Sequence, residues 1–272
     1  IALRNGDLDA AEKAYGKVLE RHRGTSMKQV DDYANLSRVL IEKGHAEGAR
    51  QIIQELKRDW RGNRQGEYAA AVMDSLCLQA EGEPEKAKKA TEQALALYEN
   101  LAAESNPARP VSQKITIDLA HACLATGATE QAQTIMRKVA AENNDNPLVI
   151  AHIEGVFSRT GHADSGRALL DQVGREIIEI NNRGVMAARS GDIEGSVRLL
   201  IEAAERVPSV QFLVNATKAI CALMDQKGWR EDLAERATTY LEQAQAKNPK
   251  DPRVLSGREN FQRIAAKFGV AG

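Results

Sequence analysis

The clearest apolar pattern lies near the C-terminal end. Phe261, Ile264, Ala265 and Phe268 recur at i, i+3, i+4 and i+7, while Arg258, Glu259, Arg263 and Lys267 lie off that stripe. This spacing marks one face of an α-helix. A capping helix is expected over residues 252–268, one face closing a core and the other meeting water. Upstream, six turns share a signature, a glycine with a small residue five positions later: Gly6/Ala11, Gly44/Ala49, Gly82/Ala87, Gly127/Ala132, Gly161/Gly166 and Gly191/Ser196. In most copies a larger apolar residue follows four positions on, namely Tyr15, Ile53, Met136, Leu170 and Leu200. Glycine at a helix end can take the left-handed conformation that stops the helix. The small residue then lets the next helix lie close against the first. Acids after the glycine (Asp7 and Asp9, Asp192 and Glu194) suit a helix start. The pattern predicts helix-turn-helix pairs, about 14 helices in all with a fragment of another at the start.

Successive turn glycines lie 38, 38, 45, 34 and 30 residues apart. A long helix from Pro84 and a loop over Glu104–Pro110, where prolines stop helical geometry, account for the longest interval. Helices cut short near Gly174 are expected to account for the shortest. A bend is expected at each irregularity. Asn146-Pro147 and Asp251-Pro252 each set a capping residue before proline at the first helical position.

Composition agrees with an all-α chain. The 272 residues include 42 alanines against 11 aromatic residues and 7 prolines, with 43% hydrophobic and 28% charged residues. That supports a large core and disfavours a β-sandwich or barrel. The net charge of −1 carries no overall footprint for nucleic acid or anionic membrane. No apolar run is long enough to span a bilayer. The chain opens Ile1-Ala2-Leu3-Arg4, without Met or a leader pattern, and is expected to be part of a longer protein. Cys77, Cys123 and Cys221 sit among apolar residues and are expected to be buried and reduced, which implies a cytoplasmic setting.

The glycine period is close to the 34 residues of tetratricopeptide repeats, and the copies resemble that family residue by residue. Tyr33, Leu36, Leu40, Ala49 and Ile53 fit one copy. Ile180, Gly184, Ser196, Leu200 and Pro208 fit another, with Arg183 where leucine is usual. Ala237, Leu241, Ala244 and Pro249 fit the last, in which Gly228 comes four residues early and the turn lengthens around Trp229. The resemblance implies a right-handed α-α superhelical solenoid over residues 1–272, about seven degenerate repeats with the first truncated. The C-terminal third is also similar to the repeat region of bacterial receiver-domain response regulators. Asn181-Asn182-Arg183-Gly184, Leu213-Val214-Asn215-Ala216-Thr217-Lys218-Ala219, Gln226-Lys227-Gly228-Trp229 and Asn248-Pro249-Lys250-Asp251-Pro252-Arg253 carry that similarity. It implies a phosphoaccepting receiver domain upstream.

Chemistry-bearing patterns are few. The five histidines form no i, i+4 pair, and His121 two residues before Cys123 has no second cysteine or histidine at ligand spacing, so no zinc pattern exists. Gly161-His162-Ala163-Asp164-Ser165-Gly166 copies the glycine spacing of a phosphate loop but lacks its lysine and a preceding strand. No nucleophile elbow or dinucleotide fingerprint appears. An enzyme is not expected, nor a metal or cofactor. Lys57-Arg58-Asp59-Trp60-Arg61-Gly62-Asn63-Arg64 has two readings. It could hold an acidic partner or RNA with Trp60 stacking on a base. It could equally be a solvated helix end with Trp60 packed on the next helix, the reading the neutral charge favours.

Binding is what remains. The first helices of successive solenoid repeats line the concave face, and setting aside their core positions leaves Asp31, Asn35 and Arg38; Lys114, Asp118 and His121; His152 and Arg159; Asn181, Asn182 and Arg189; Asn215 and Lys218. Asn is mediocre inside helices. The pair Asn181-Asn182, with Arg189 and Asn215, could clamp a peptide backbone or carboxylate, or could staple neighbouring repeats together. The expected role is a protein-interaction scaffold with a protein or peptide in the groove, serving as the output region of a signalling protein. An assembly subunit of a secretion or exopolysaccharide system is the alternative. Small-molecule, membrane-inserting and nucleic-acid roles are disfavoured.

Overall fold

The computed structural model describes residues 7–104 and 111–270. Gly6, the opening residues and positions 105–110 of the expected loop lie outside the described residues. Among those described the fold is all-α, with thirteen helices and no strand. They are α1 (Leu8–His22), α2 (Val30–Glu42), α3 (Ala46–Asp59), α4 (Arg64–Ala80), α5 (Pro84–Glu104), α6 (Gln113–Ala125), α7 (Thr129–Glu142), α8 (Pro147–Arg159), α9 (Ala163–Arg189), α10 (Ile193–Arg206), α11 (Val210–Lys227), α12 (Glu231–Lys247) and α13 (Pro252–Lys267).

The turn signature works as its chemistry requires. Gly44, Gly82, Gly127, Gly161 and Gly191 all have φ between 75° and 84°. At each, an amide just beyond the glycine donates back across the turn. His45 reaches the Leu40 carbonyl at 2.8 Å, and Asp192 reaches that of Ala187 at 3.0 Å. These are the six-to-one bonds that close a helix C-terminus. The small residue five positions on is buried in all six copies, with Ala49, Ala87 and Ala132 at 0% exposure. In the copy with no large apolar residue, the position is Thr91, also buried, and its hydroxyl lies 2.6 Å from that of Ser75 on the preceding helix. In the Gly161 copy Leu169 is buried and Leu170 half-buried, so the large side chain sits one position early. Caps fall where the sequence sets them. Asp7, Asp192 and Asp251 accept from backbone amides at the starts of α1, α10 and α13.

One expectation fails. Nothing is cut short near Gly174, because α9 runs unbroken for 27 residues and takes in Gly174 and Gly184. No proline interrupts this stretch, and neither glycine has positive φ. An interior glycine costs only about 1 kcal/mol against alanine, too little to end a helix whose buried positions Leu169, Val173 and Ile177 keep helical spacing. The short interval reflects a missing turn.

The helices gather into two compact units, one drawn from Ile1–Met136 and Val156–Ala163, the other from Arg137–Gly155 and Asp164–Gly272. In the first, consecutive helices α1 to α6 pack pairwise, and α2, α4 and α6 also pack in a row. In the second, α11 packs against α10, α12 and α13. Phe261 of α13 and Phe268 at its C-cap are half-buried under Trp229, with ring centroids 6.1 and 6.3 Å away, so the lengthened turn before α12 covers the outer edge of the capping helix.

Candidate functional site

In the first unit the row of first helices leaves no open face at its centre. Nine consecutive residues of α2, Asp32–Leu40, are buried, whereas α3 buries only Ala49, Ile53 and Leu56. Helices α2 and α6 meet directly. Arg38 Nε donates to Asp118 Oδ1 at 2.8 Å, Arg38 Nη2 donates to Asp118 Oδ2, and Arg38 Nη1 donates to Asn35 Oδ1 at 3.0 Å. Ser112, just before α6, donates its hydroxyl to Asp31 at 2.6 Å. Asn35, Arg38 and Asp118 are therefore buried, at 7%, 6% and 1% exposure, and do not line an accessible groove. Burial alone would weaken the Arg38 proton, but the charge and hydrogen bonds of Asp118 outweigh it and hold the guanidinium above its usual pKa. Burial lowers the His121 pKa, an effect that Asp118 opposes and that Arg159 and Arg38 reinforce. Lys114 and Arg159 are exposed, and His152 is half-buried.

In the second unit the expected residues divide. Asn215 on α11 donates to Asn181 on α9 at 2.7 Å, so this pair staples neighbouring helices. Asn182 and Arg189 are exposed, as is Lys218 on α11. On the same side of α9 as Asn182 stand Ile178 and Met186, 61% and 68% exposed. Large apolar side chains so open to water on an interior stretch of helix are a feature that inspection for polar residues passes over. The signal was present, since Ile177-Ile178 and Val185-Met186 each add an apolar residue beyond the buried face. Away from that side α9 packs closely at Gly184, where an added Cβ would stand 2.6 Å from Leu200. A cleft beside it is lined by Ile180, Arg183, Leu199, Glu202, Ala203 and Arg206. Arg183, where leucine is usual, thus stands at an exposed rim.

The cluster at residues 57–64 is largely engaged within the chain. Lys57 pairs with Asp74, Arg58 with Asp59 and Arg64 with Glu104. Trp60 is half-buried against Gly66, at the start of the next helix. Cys77, Cys123 and Cys221 are free and buried, and burial pushes their thiols up to about 11, 12 and 11. Among the described residues no group of three His, Cys, Asp or Glu side chains could hold a metal, and no helix is long and apolar enough to cross a membrane.

No curated protein sequence matches the chain. Solved structures similar to it include the APC/C hetero-tetramer Cut9–Hcn1, 14% identical with a TM-score of 0.40, covering 94% of this chain and 52% of that one. The chain thus spans about half the length of that relative. A tetratricopeptide repeat protein from Parabacteroides merdae is 13% identical, with a TM-score of 0.30, covering 96% of this chain and 94% of the other. The apo quorum sensor NprR from B. thuringiensis is 10% identical, with a TM-score of 0.36, covering 100% and 80%. A family model described as tetratricopeptide repeat matches residues 78–151, the stretch holding the Gly82/Ala87 and Gly127/Ala132 turns, and the helix pairs of this stretch are of the tetratricopeptide type.

Proposed function

We propose that the chain is a protein-interaction scaffold that takes a partner segment along the exposed side of α9 and the neighbouring α11. Ile178 and Met186 supply apolar contacts, and Asn182, Arg189 and Lys218 supply polar ones. The observation that carries this reading is the exposure of Ile178 and Met186, 61% and 68%, on a helix that buries Leu169, Val173, Ile177 and Gly184 along another face. Lys114, His121, His152 and Arg159 are candidate secondary contacts, while Asn35, Arg38, Asn181 and Asn215 act by holding helices together. No metal, cofactor or catalytic step is required.

A photo-crosslinking residue placed at position 182 or 186 in cells tests this. Discrete adducts are expected from both positions and not from exposed Lys250. Adducts equally strong at position 250, or none at 182 and 186, would overturn the assignment.

The similarity of residues 181–253 to response-regulator repeat regions supports a finer placement, in which this is the cytoplasmic output region of a bacterial two-component protein. Phosphorylation of an upstream receiver would then alter partner engagement. A receiver domain encoded upstream is the expected finding. A signal peptide or lipid-anchor cysteine there would point to a secretion or exopolysaccharide assembly subunit.

A further inference from the structure

We propose that mild acid opens the closed face of the first unit, with His121 as the trigger: once protonated, it draws the Asp118 carboxylate away from Arg38, and α2 parts from α6. These helices are tied by side chains. Arg38 donates to Asp118, and Ser112, just before α6, donates to Asp31. His121 stands on α6 three residues beyond Asp118, the spacing that makes two side chains neighbours on a helix surface. It is half-buried and has no hydrogen-bond partner among the described residues. Asp118 thus has two claimants. One is Arg38 across the helix pair, and the other, available only when charged, lies on its own helix.

The charges gathered here are Arg38 and Glu42 of α2, Asp118 of α6 and Arg159 at the end of α8. With a neutral ring they balance. A proton on His121 adds a third cation beside Arg38 and Arg159, while Asp118 already accepts two bonds from Arg38. Tyr15 of α1 and Tyr68 of α4 lie beside Arg38 and Asp118, and phenols carry no charge in the acid range. Burial and the two arginines hold the His121 ring below the ordinary imidazole value, against the pull of Asp118. A group shifted this way supports closure above about pH 6.5, and that support is lost as pH falls through the folded value. Each unit of depression makes opening about tenfold easier once the ring is charged. Glu42 acts in the opposite sense. Burial holds its carboxyl above the ordinary glutamate value, so closure regains favour as pH falls into the glutamate range. Opening is therefore greatest near about pH 5.5, and it bares Asn35, Arg38 and Asp118, polar positions that the neutral form buries.

Amide hydrogen exchange on the full chain, corrected for the intrinsic rate at each pH, tests this. Between about pH 7.5 and about pH 5.5, protection over α2 and α6 should fall at least about threefold while α11 and α12 hold theirs. His121→Gln, neutral at every pH, should keep its protection. His121→Lys, charged throughout, should show the loss already at about pH 7.5, with circular dichroism checking that each variant is folded. The His121 ring proton resonance, assigned by its absence from His121→Gln, should titrate below the ordinary imidazole value in the parent chain. That readout decides the matter even where the lysine variant fails to fold. Equal loss in the parent and His121→Gln, unchanged protection in the parent, a loss that spreads to α11 and α12, or a ring that titrates at or above the ordinary value overturns the proposal.

Discussion

Asp118→Ala should be among the most damaging single substitutions in the first unit. Its carboxylate is 1% exposed and accepts two hydrogen bonds from Arg38, itself 6% exposed, across 80 residues of sequence. Removing it leaves a guanidinium in the interior with one remaining bond, to Asn35 at 3.0 Å. Breaking a buried pair from one side costs about 3–5 kcal/mol, because the abandoned charge keeps its desolvation penalty. That is a large share of the roughly 5–15 kcal/mol that holds a typical domain together. The pair itself need not be stabilising. Arg38→Met combined with Asp118→Leu fills similar volume without charge and should return stability to within about 1 kcal/mol of the parent, or above it. Urea unfolding of the parent, both single variants and the double variant, at constant denaturant slope, closes the cycle. The exposed pair Lys227–Glu194, 57% and 67% open to solvent, is the control, and Glu194→Gln should change little. An Asp118→Ala loss no larger than that control, or a double variant as unstable as the single, would refute the reasoning.

Gly174→Ala should raise stability by about 0.5–1 kcal/mol and Gly174→Pro should remove about 3, since Gly174 lies inside α9 with nothing within 4 Å of an added Cβ; a loss with Ala on thermal unfolding would show a turn there. Leu200→Ala, at 4% exposure against Gly184, should cost about 2–5 kcal/mol, while Asn182→Ala with Arg189→Ala should leave the melting temperature nearly unchanged. The buried thiols titrate at about 11 to 12 in the folded chain, against about 8.5 when unfolded. Their contribution to stability is therefore complete below about pH 8.5 and is lost as pH rises toward the folded values. Urea midpoints that stay flat from about pH 8 to 11 would contradict this.

What the sequence made legible is what local chemistry decides. A left-handed glycine, a capping aspartate and a small residue that must lie under a neighbouring helix each leave a mark within ten residues, and Gly44, Asp192 and Ala49 behave accordingly. The continuity of α9 was harder to see because it depends on the absence of a signal. Gly174 resembles a helix end in spacing but has none of the left-handed geometry or proline that would stop the chain. The polar groove positions were ambiguous for a different reason. Arg38 and Asp118 occupy positions that would face a groove if α2 and α6 stood apart, and only the approach of two helices 80 residues apart in sequence turns both inward. A local hint existed, since Asp118 interrupts the apolar run Ile115–Ala120 and Arg38 lies between Leu36 and Leu40. A charge inside such a run needs a buried counter-charge, and the sequence offers many. Asn181 and Asn182 are the sharpest instance. Adjacent residues of one type on one helix point about 100° apart, so one meets Asn215 and the other meets water. Any partner of this face must therefore be read from Asn182, with Asn181 already committed to the fold.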